Sequence, residues 1–253
     1  MEPERLSVIE VLRTTMRVWR AHAVQLWVLA AIVLAPLAAL ELAGYRLAID
    51  ITAKKFDPAT ALVNLFVILV FEIGSAEVEA VAAEKMVGSE LHGHRIPSFL
   101  RFLREVPWVR LVLATLVFEI AVLVGLALVV VPGVIVLVYF TLYGPVIVVE
   151  RRGVGAAFRR SAQLVRGSYW PVLAVALFAI GVSEGIGAVA ARLLDGAPHW
   201  VHVLGFYGVD VLLTPLQGVA IAVTYFALVA RERARAARTS GATGPAEAGP
   251  ESL

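Results

Sequence analysis

Long apolar stretches alternate with short polar segments along this chain. Six stretches are long enough to cross a bilayer as α-helices, since about 20 apolar residues span the hydrocarbon core. They cover residues 23–43, 60–83, 108–131, 133–149, 170–191 and 209–230. The pattern predicts an all-α fold, an integral membrane bundle of six transmembrane helices within residues 1–238. Residues 239–253 are rich in Gly, Pro, Ala and Ser, which predicts a disordered C-terminal tail.

The polar segments before the first, third and fifth spans share a pattern. Residues 6–20, 98–106 and 154–168 each place apolar side chains on one helical face and arginines on the other, as amphipathic surface helices do. Arg13 aligns with Arg159, and Arg20 with Arg166, without a gap. Two interpretations stay open. Either the chain contains three repeated units, each a surface helix with two spans, or any basic amphipathic helix beside a span would show this similarity.

Basic residues fall mostly on one side of the predicted membrane. Of the 22 Lys and Arg residues, 18 lie on the side of the N-terminus and 4 on the other. Those four are Arg46, Lys54, Lys55 and Arg192. Cytoplasmic loops carry an excess of Lys and Arg, so the chain is predicted to be a multi-pass protein of the cell membrane with both termini in the cytoplasm.

Composition narrows the classes of protein further. A mean hydropathy of +0.84 with 60% hydrophobic residues excludes an ordinary soluble domain. The chain has no Cys, which excludes disulfides and thiolate metal sites. Its net charge is +2, and its basic residues lie in short clusters beside the spans. Such clusters attract anionic lipid headgroups, so we expect membrane lipids as partners, together with other membrane subunits, and no nucleic acid.

Acidic residues inside the spans are the candidates for chemistry. Glu72 and Glu79 lie seven residues apart in the second span, Glu119 is in the third and Glu184 in the fifth. Carboxylates at mid-membrane usually face the bundle interior or water. One hypothesis is a proton or cation site formed by these residues. The other, which we favour, is that protonated carboxyl groups hold helices together through hydrogen bonds.

Other motifs predict packing rather than catalysis. Gly181 and Gly185 make a small-residue step on the fifth span, which favours close approach of another helix. Ser161 follows two arginines, a pattern equally typical of a phosphate site and of packing at the membrane surface. No nucleophile elbow, phosphate loop or complete set of metal ligands is present, so we predict no enzyme, no metal and no cofactor.

Residues 131–170 carry a recognisable series of motifs. A Val-Pro-Gly tripeptide at 131–133, predicted to be a tight turn, is followed by YGPVIVVE at 143–150, AAFRRS at 156–161 and LVRGSYW at 164–170. This series resembles an uncharacterised family of bacterial and archaeal polytopic membrane proteins, related to the membrane domain of some glycerophosphoryl diester phosphodiesterases. The resemblance implies a six-helix membrane domain and no catalysis, because the catalytic residues of those phosphodiesterases belong to a separate soluble domain.

Glu150 has a predicted structural role within these motifs. It ends the fourth span just before the surface helix that carries Arg159 and Arg160. A carboxylate there can accept charge-assisted hydrogen bonds, so we predict a structural clasp between Glu150 and Arg159 or Arg160. As a whole, the sequence favours a non-enzymatic structural, assembly or accessory subunit of a membrane complex. The alternative is a small proton- or cation-coupled transporter that uses the intramembrane carboxylates.

Overall fold

The computed structural model describes residues 7–42, 107–128 and 130–241. These residues form seven α-helices and no β-strand, which confirms the all-α class. The helices are α1 (Val8–Leu42), α2 (Trp108–Leu128), α3 (Val130–Phe140), α4 (Tyr143–Glu150), α5 (Val154–Val165), α6 (Tyr169–Leu193) and α7 (His199–Gly241). The predicted second span, 60–83, and the predicted surface helix at 98–106 lie outside the described residues.

Four helical stretches of the described residues are long and apolar enough to cross a membrane. They are Val8–Pro36, Val131–Glu150, Tyr169–Leu193 and His199–Thr239. The 21-residue α2 coincides with the predicted third span. The lengths and hydropathy of these helices are therefore those of a membrane protein. The six-span topology, the orientation of the termini and the threefold repeat stay predictions.

The two longest helices pack side by side and run antiparallel. The Tyr207 hydroxyl donates to the Ala31 carbonyl at 2.6 Å, and a ring nitrogen of His199 lies 3.0 Å from the Glu41 carbonyl oxygen. These contacts pair the start of α7 with the end of α1. Buried side chains of both helices, including Leu26 and Val219, belong to one hydrophobic core. The pair forms the frame against which α6 also packs.

The predicted surface helices differ in local structure. Residues 8–20 continue without a break into the first span as part of α1, whereas α5 is a separate helix. Between α5 and α6 the backbone turns at Gly167, where φ is +82°, a conformation that glycine adopts readily. The first and third units of the predicted repeat therefore do not share one connection geometry.

Helices α2 and α3 form the close hairpin that the sequence predicts, but with a different connection. Pro132 and Gly133 lie in the first turn of α3 and not in the link between the helices. Proline fits the first turn of a helix because its missing N–H has no partner there. A Cβ atom built on Gly125 would lie 2.8 Å from the Cα atom of Gly133. The hairpin therefore needs glycine at its closest point.

Candidate functional site

A sharp reversal of the chain between α4 and α5 creates the most highly charged site among the described residues. Arg151 follows the end of α4 with φ 53°, in the left-handed region, and the extended Gly153 precedes α5. A left-handed residue is a common way to end a helix. The reversal directs α5 back along α4, so that Arg160 reaches Glu150.

Five side chains meet there, and we call them the Arg160 network: Glu150, Arg152, Arg160, Tyr225 and Glu232. The Arg160 Nε donates to Glu150 at 3.1 Å, and its two terminal nitrogens donate to the two oxygens of Glu232 at 2.7 and 2.5 Å. Glu150 also accepts from Arg152 Nε at 2.6 Å and from the Tyr225 hydroxyl at 3.2 Å. Paired bonds between a guanidinium and a carboxylate fix geometry as well as charge. The network therefore links α4, α5 and α7.

Burial divides the network into an inner and an outer part. The side chains of Arg160 and Glu150 are 15% and 18% exposed, whereas Glu232 is 51% exposed. The hydrogen bonds that Arg160 donates to the Glu232 carboxylate raise the pKa of Arg160 above its usual value. Desolvation opposes that shift, and Glu150 adds to it. Arg160 is thus a permanent cation, and both Glu150 oxygens are hydrogen-bonded. Such an arrangement suits holding helices together better than moving protons.

The predicted clasp residues are brought together only in part. Arg160 contacts Glu150, as one of the two predicted pairings requires. Arg159 instead donates to the Gly155 carbonyl of its own helix at 3.3 Å. Glu232, which is 72 residues from Arg160, was not among the predicted residues. Nothing in the local pattern around Glu232 singles out Arg160 as its partner, since the contact depends on how α7 packs.

A buried hydroxyl next to the network bridges an interruption in the fourth span. Residues 141–142 separate α3 from α4. Pro145 follows them, and its ring would clash with the carbonyl group one turn earlier if the helix were continuous. Ser161 is fully buried. Its Oγ accepts from the Leu142 N–H at 3.2 Å and donates to the Tyr139 carbonyl at 2.7 Å. Ser161 therefore has a structural role. Its place on the apolar face of α5 is the feature of the sequence that indicates burial.

The predicted intramembrane acids do not meet in one described cavity. Glu72 and Glu79 lie outside the described residues. Glu119 is exposed on α2, and Glu184 is exposed on α6. Glu184 borders an open groove of about 390 Å³ between α6 and α7. Glu119 does not line this groove, so the proton or cation site involving all four residues stays a prediction.

Several polar groups share the groove with Glu184. Asp210, Thr214 and Gln217 approach from α7, and Ser183 lies on α6. The Gln217 amide donates to the Ser183 hydroxyl at 2.8 Å, and that hydroxyl donates to the Ala179 carbonyl at 3.2 Å. Within the described part of the chain, no group of three His, Cys, Asp or Glu side chains could hold a metal ion.

The small-residue step on α6 lies on an exposed surface. Gly181 and Gly185 are both exposed, and a Cβ atom on either would meet no described atom within 4 Å. Close packing through these two residues therefore stays a prediction. The described close contact between glycines is instead that of Gly125 with Gly133.

Comparison with known proteins places the chain in a family but gives no activity. No curated protein and no solved structure matches it. Residues 57–231 match a domain of unknown function, DUF7847. This range includes the motifs at 131–170, but the match carries no link to glycerophosphoryl diester phosphodiesterases. Since it covers more than half of the 253 residues, the chain belongs to the DUF7847 family.

Proposed function

We propose that this chain is a non-enzymatic integral membrane protein that serves as a structural, assembly or accessory subunit of a membrane complex. The observation that carries the proposal is the Arg160 network. Its charged side chains bond to one another across three helices, so their chemistry is used for folding. Charged groups that are held in ion pairs are poorly suited to catalysis. If one partner leaves the pair, the other remains as a desolvated charge without compensation.

The length of α7 supports the accessory role. Its 43 residues correspond to about 64 Å, roughly twice the thickness of the hydrocarbon core. Under the proposed six-span topology, the end of α7 would project into the cytoplasm. Arg233, Arg235 and Arg238 are exposed on that end. A rigid basic arm of this kind is suited to contact with another subunit or with the membrane surface. A relation to the membrane domain of phosphodiesterases is part of the proposal and rests on the motifs at 131–170.

Cross-linking in intact membranes, followed by purification, tests the accessory role. We expect one membrane protein to co-purify in fixed stoichiometry, and its yield to fall when Arg233 and Arg238 are both replaced by Gln. Arg192→Gln, which changes an exposed arginine at the end of α6, is the matched control and should retain the partner. A chain that is recovered alone, after every mild extraction, would contradict the proposal.

The groove between α6 and α7 favours a second candidate function, a small proton- or cation-coupled transporter. Glu184 and Asp210 both line the groove, together with the hydrogen-bonded Gln217 and Ser183. Carboxylates and neutral oxygen ligands along a membrane helix are the groups that a proton or cation path uses. This function predicts flux that requires the carboxylate of Glu184.

A further inference from the structure

Arg231 stands apart from the arginines of the Arg160 network. The ion pairs of the described residues involve Arg152 and Arg160, and no described carboxylate oxygen lies within 4.0 Å of Arg231. Its terminal nitrogen Nη1 donates to the Ser168 hydroxyl at 2.6 Å. Its Nε is buried and has no hydrogen-bond partner among the residues that the structure describes. Arg231 is thus a partly buried cation with a neutral partner and an unused donor.

A partly buried guanidinium without a carboxylate partner is costly. Leaving a buried polar group unpaired lowers stability, and the loss is larger when the group is charged. Adjacent Glu232 has its two oxygens bonded to Arg160, so it does not neutralise Arg231. The next arginine on the same helical face is Arg235, one turn further along α7, and it adds positive charge. The local imbalance calls for an anion from outside the described residues.

The surroundings of Arg231 indicate where that anion would come from. Arg231 directly follows the apolar run of α7 that ends at Ala230. Its partner Ser168 precedes the aromatic pair Tyr169 and Trp170, whose ring centroids are 5.4 Å apart. The Trp170 side chain is 75% exposed. Exposed aromatic rings at the end of a membrane helix are typical of the headgroup level of a bilayer.

We propose that Arg231, together with Ser168 and Arg235, binds the phosphate group of an anionic lipid headgroup. A guanidinium offers several donors in one plane, which matches the oxygens of a phosphate. The terminal nitrogens of Arg231, unlike its buried Nε, supply the donors, and Arg235 supplies the second positive charge. The inference rests on the membrane placement in the proposed function, but it does not depend on the accessory role or on any partner protein.

Thermal unfolding of the delipidated full chain in a neutral detergent tests this site. The probes are short-chain phosphatidylglycerol, short-chain phosphatidylcholine and inorganic phosphate at matched ionic strength. We expect phosphatidylglycerol to raise the unfolding midpoint in a saturable way, while phosphatidylcholine and inorganic phosphate leave it unchanged. An equal effect of inorganic phosphate would show that the site takes free phosphate and would overturn the lipid assignment.

Variants locate the effect at Arg231. Arg231→Gln should weaken the apparent affinity for phosphatidylglycerol roughly tenfold or more, as loss of a charge-assisted hydrogen bond implies. Arg231→Lys keeps the charge and the fold but lacks the planar donors, so it should also bind weakly. Arg159→Gln is the control, because it removes an exposed arginine whose side chain donates to the Gly155 carbonyl of its own helix. Unchanged affinity in both Arg231 variants, or an equal loss in Arg159→Gln, overturns the proposal.

Discussion

At the scale of single residues, one hydroxyl group stands in for two backbone partners. In a continuous helix the Leu142 N–H would bond to the Val138 carbonyl, and the Tyr139 carbonyl would accept from Tyr143. The helix is interrupted at 141–142, and the Ser161 hydroxyl contacts both the Leu142 N–H and the Tyr139 carbonyl. If this helix crosses a membrane, as its length and hydropathy allow, the interruption needs such a partner, because no water is available there to supply one.

Ser161→Ala tests this role. The variant leaves a buried donor and a buried acceptor without the hydroxyl, so we expect the free energy of unfolding to fall by about 1–3 kcal/mol. Unfolding in mixed micelles of detergent and dodecyl sulfate measures it. Thr224→Val is a matched control, since the Thr224 hydroxyl is buried but bonds only to the carbonyl one turn earlier in its own helix. An equally small effect in both variants would contradict the bridging role.

Glu150 is the second residue with a testable structural role. In Glu150→Gln the amide replaces the charge that faces Arg152 and Arg160. We expect a lower folded yield in detergent and a loss of about 1–2 kcal/mol of unfolding free energy, because the site is partly exposed to solvent. Arg159→Gln removes a charge from α5, next to Arg160, without touching the network, and it should leave stability unchanged. If the two variants melt alike, Glu150 is not a clasp.

At the scale of elements, the hairpin of α2 and α3 depends on two glycines in contact. A methyl group on Gly125 would lie 2.8 Å from the Gly133 Cα atom and 3.0 Å from its nitrogen. Backbone atoms cannot move aside as a flexible side chain can, so the helices must separate. Close packing through glycine is a common way for membrane helices to associate.

Gly125→Ala should therefore lower the free energy of unfolding by about 1–3 kcal/mol, as overpacking does. The expected change is opposite to the small gain that alanine normally brings within a helix. Gly155→Ala in α5 provides the control, because no described atom would lie within 4 Å of its Cβ. Melting curves of the purified variants give the comparison, and an unaffected Gly125→Ala would show that the hairpin is looser than described.

The elements also show what the sequence can and cannot predict. The hydrophobic run at 170–191 predicts a span, and the structure has α6 at Tyr169–Leu193. The amphipathic spacing of residues 154–168 likewise predicts α5. A short separation along the chain predicts a pairing of Glu150 with Arg159 or Arg160, and the direction in which each arginine leaves α5 decides between the two. Local patterns do not reveal the contact of Arg160 with Glu232 or of Gly125 with Gly133, because those depend on the rotation and register of packed helices. Pro145 explains the interruption before α4. The hydroxyl that bridges the interruption belongs to Ser161 in α5, and the pattern around Pro145 does not predict it.

At the scale of the whole molecule, charged side chains are separated by task. One set, the Arg160 network, joins α4, α5 and α7. A second set, around Arg231, is left without a described carboxylate and is proposed to face lipid. The groove that contains Glu184 and Asp210 lies elsewhere, between α6 and α7. We therefore propose that Arg160 serves folding and that Arg231 serves membrane attachment, and that any transport would use the α6–α7 groove.

Flux through proteoliposomes distinguishes a scaffold protein, as we propose, from a transporter. The purified chain and Glu184→Gln would be reconstituted at equal density, with a proton-sensitive dye inside and imposed proton or sodium gradients. Matched melting curves would show that both are folded. For a scaffold we expect the flux in both preparations to equal that of protein-free vesicles. Flux that exceeds this background and falls in Glu184→Gln would contradict the scaffold role and establish the groove as a transport path.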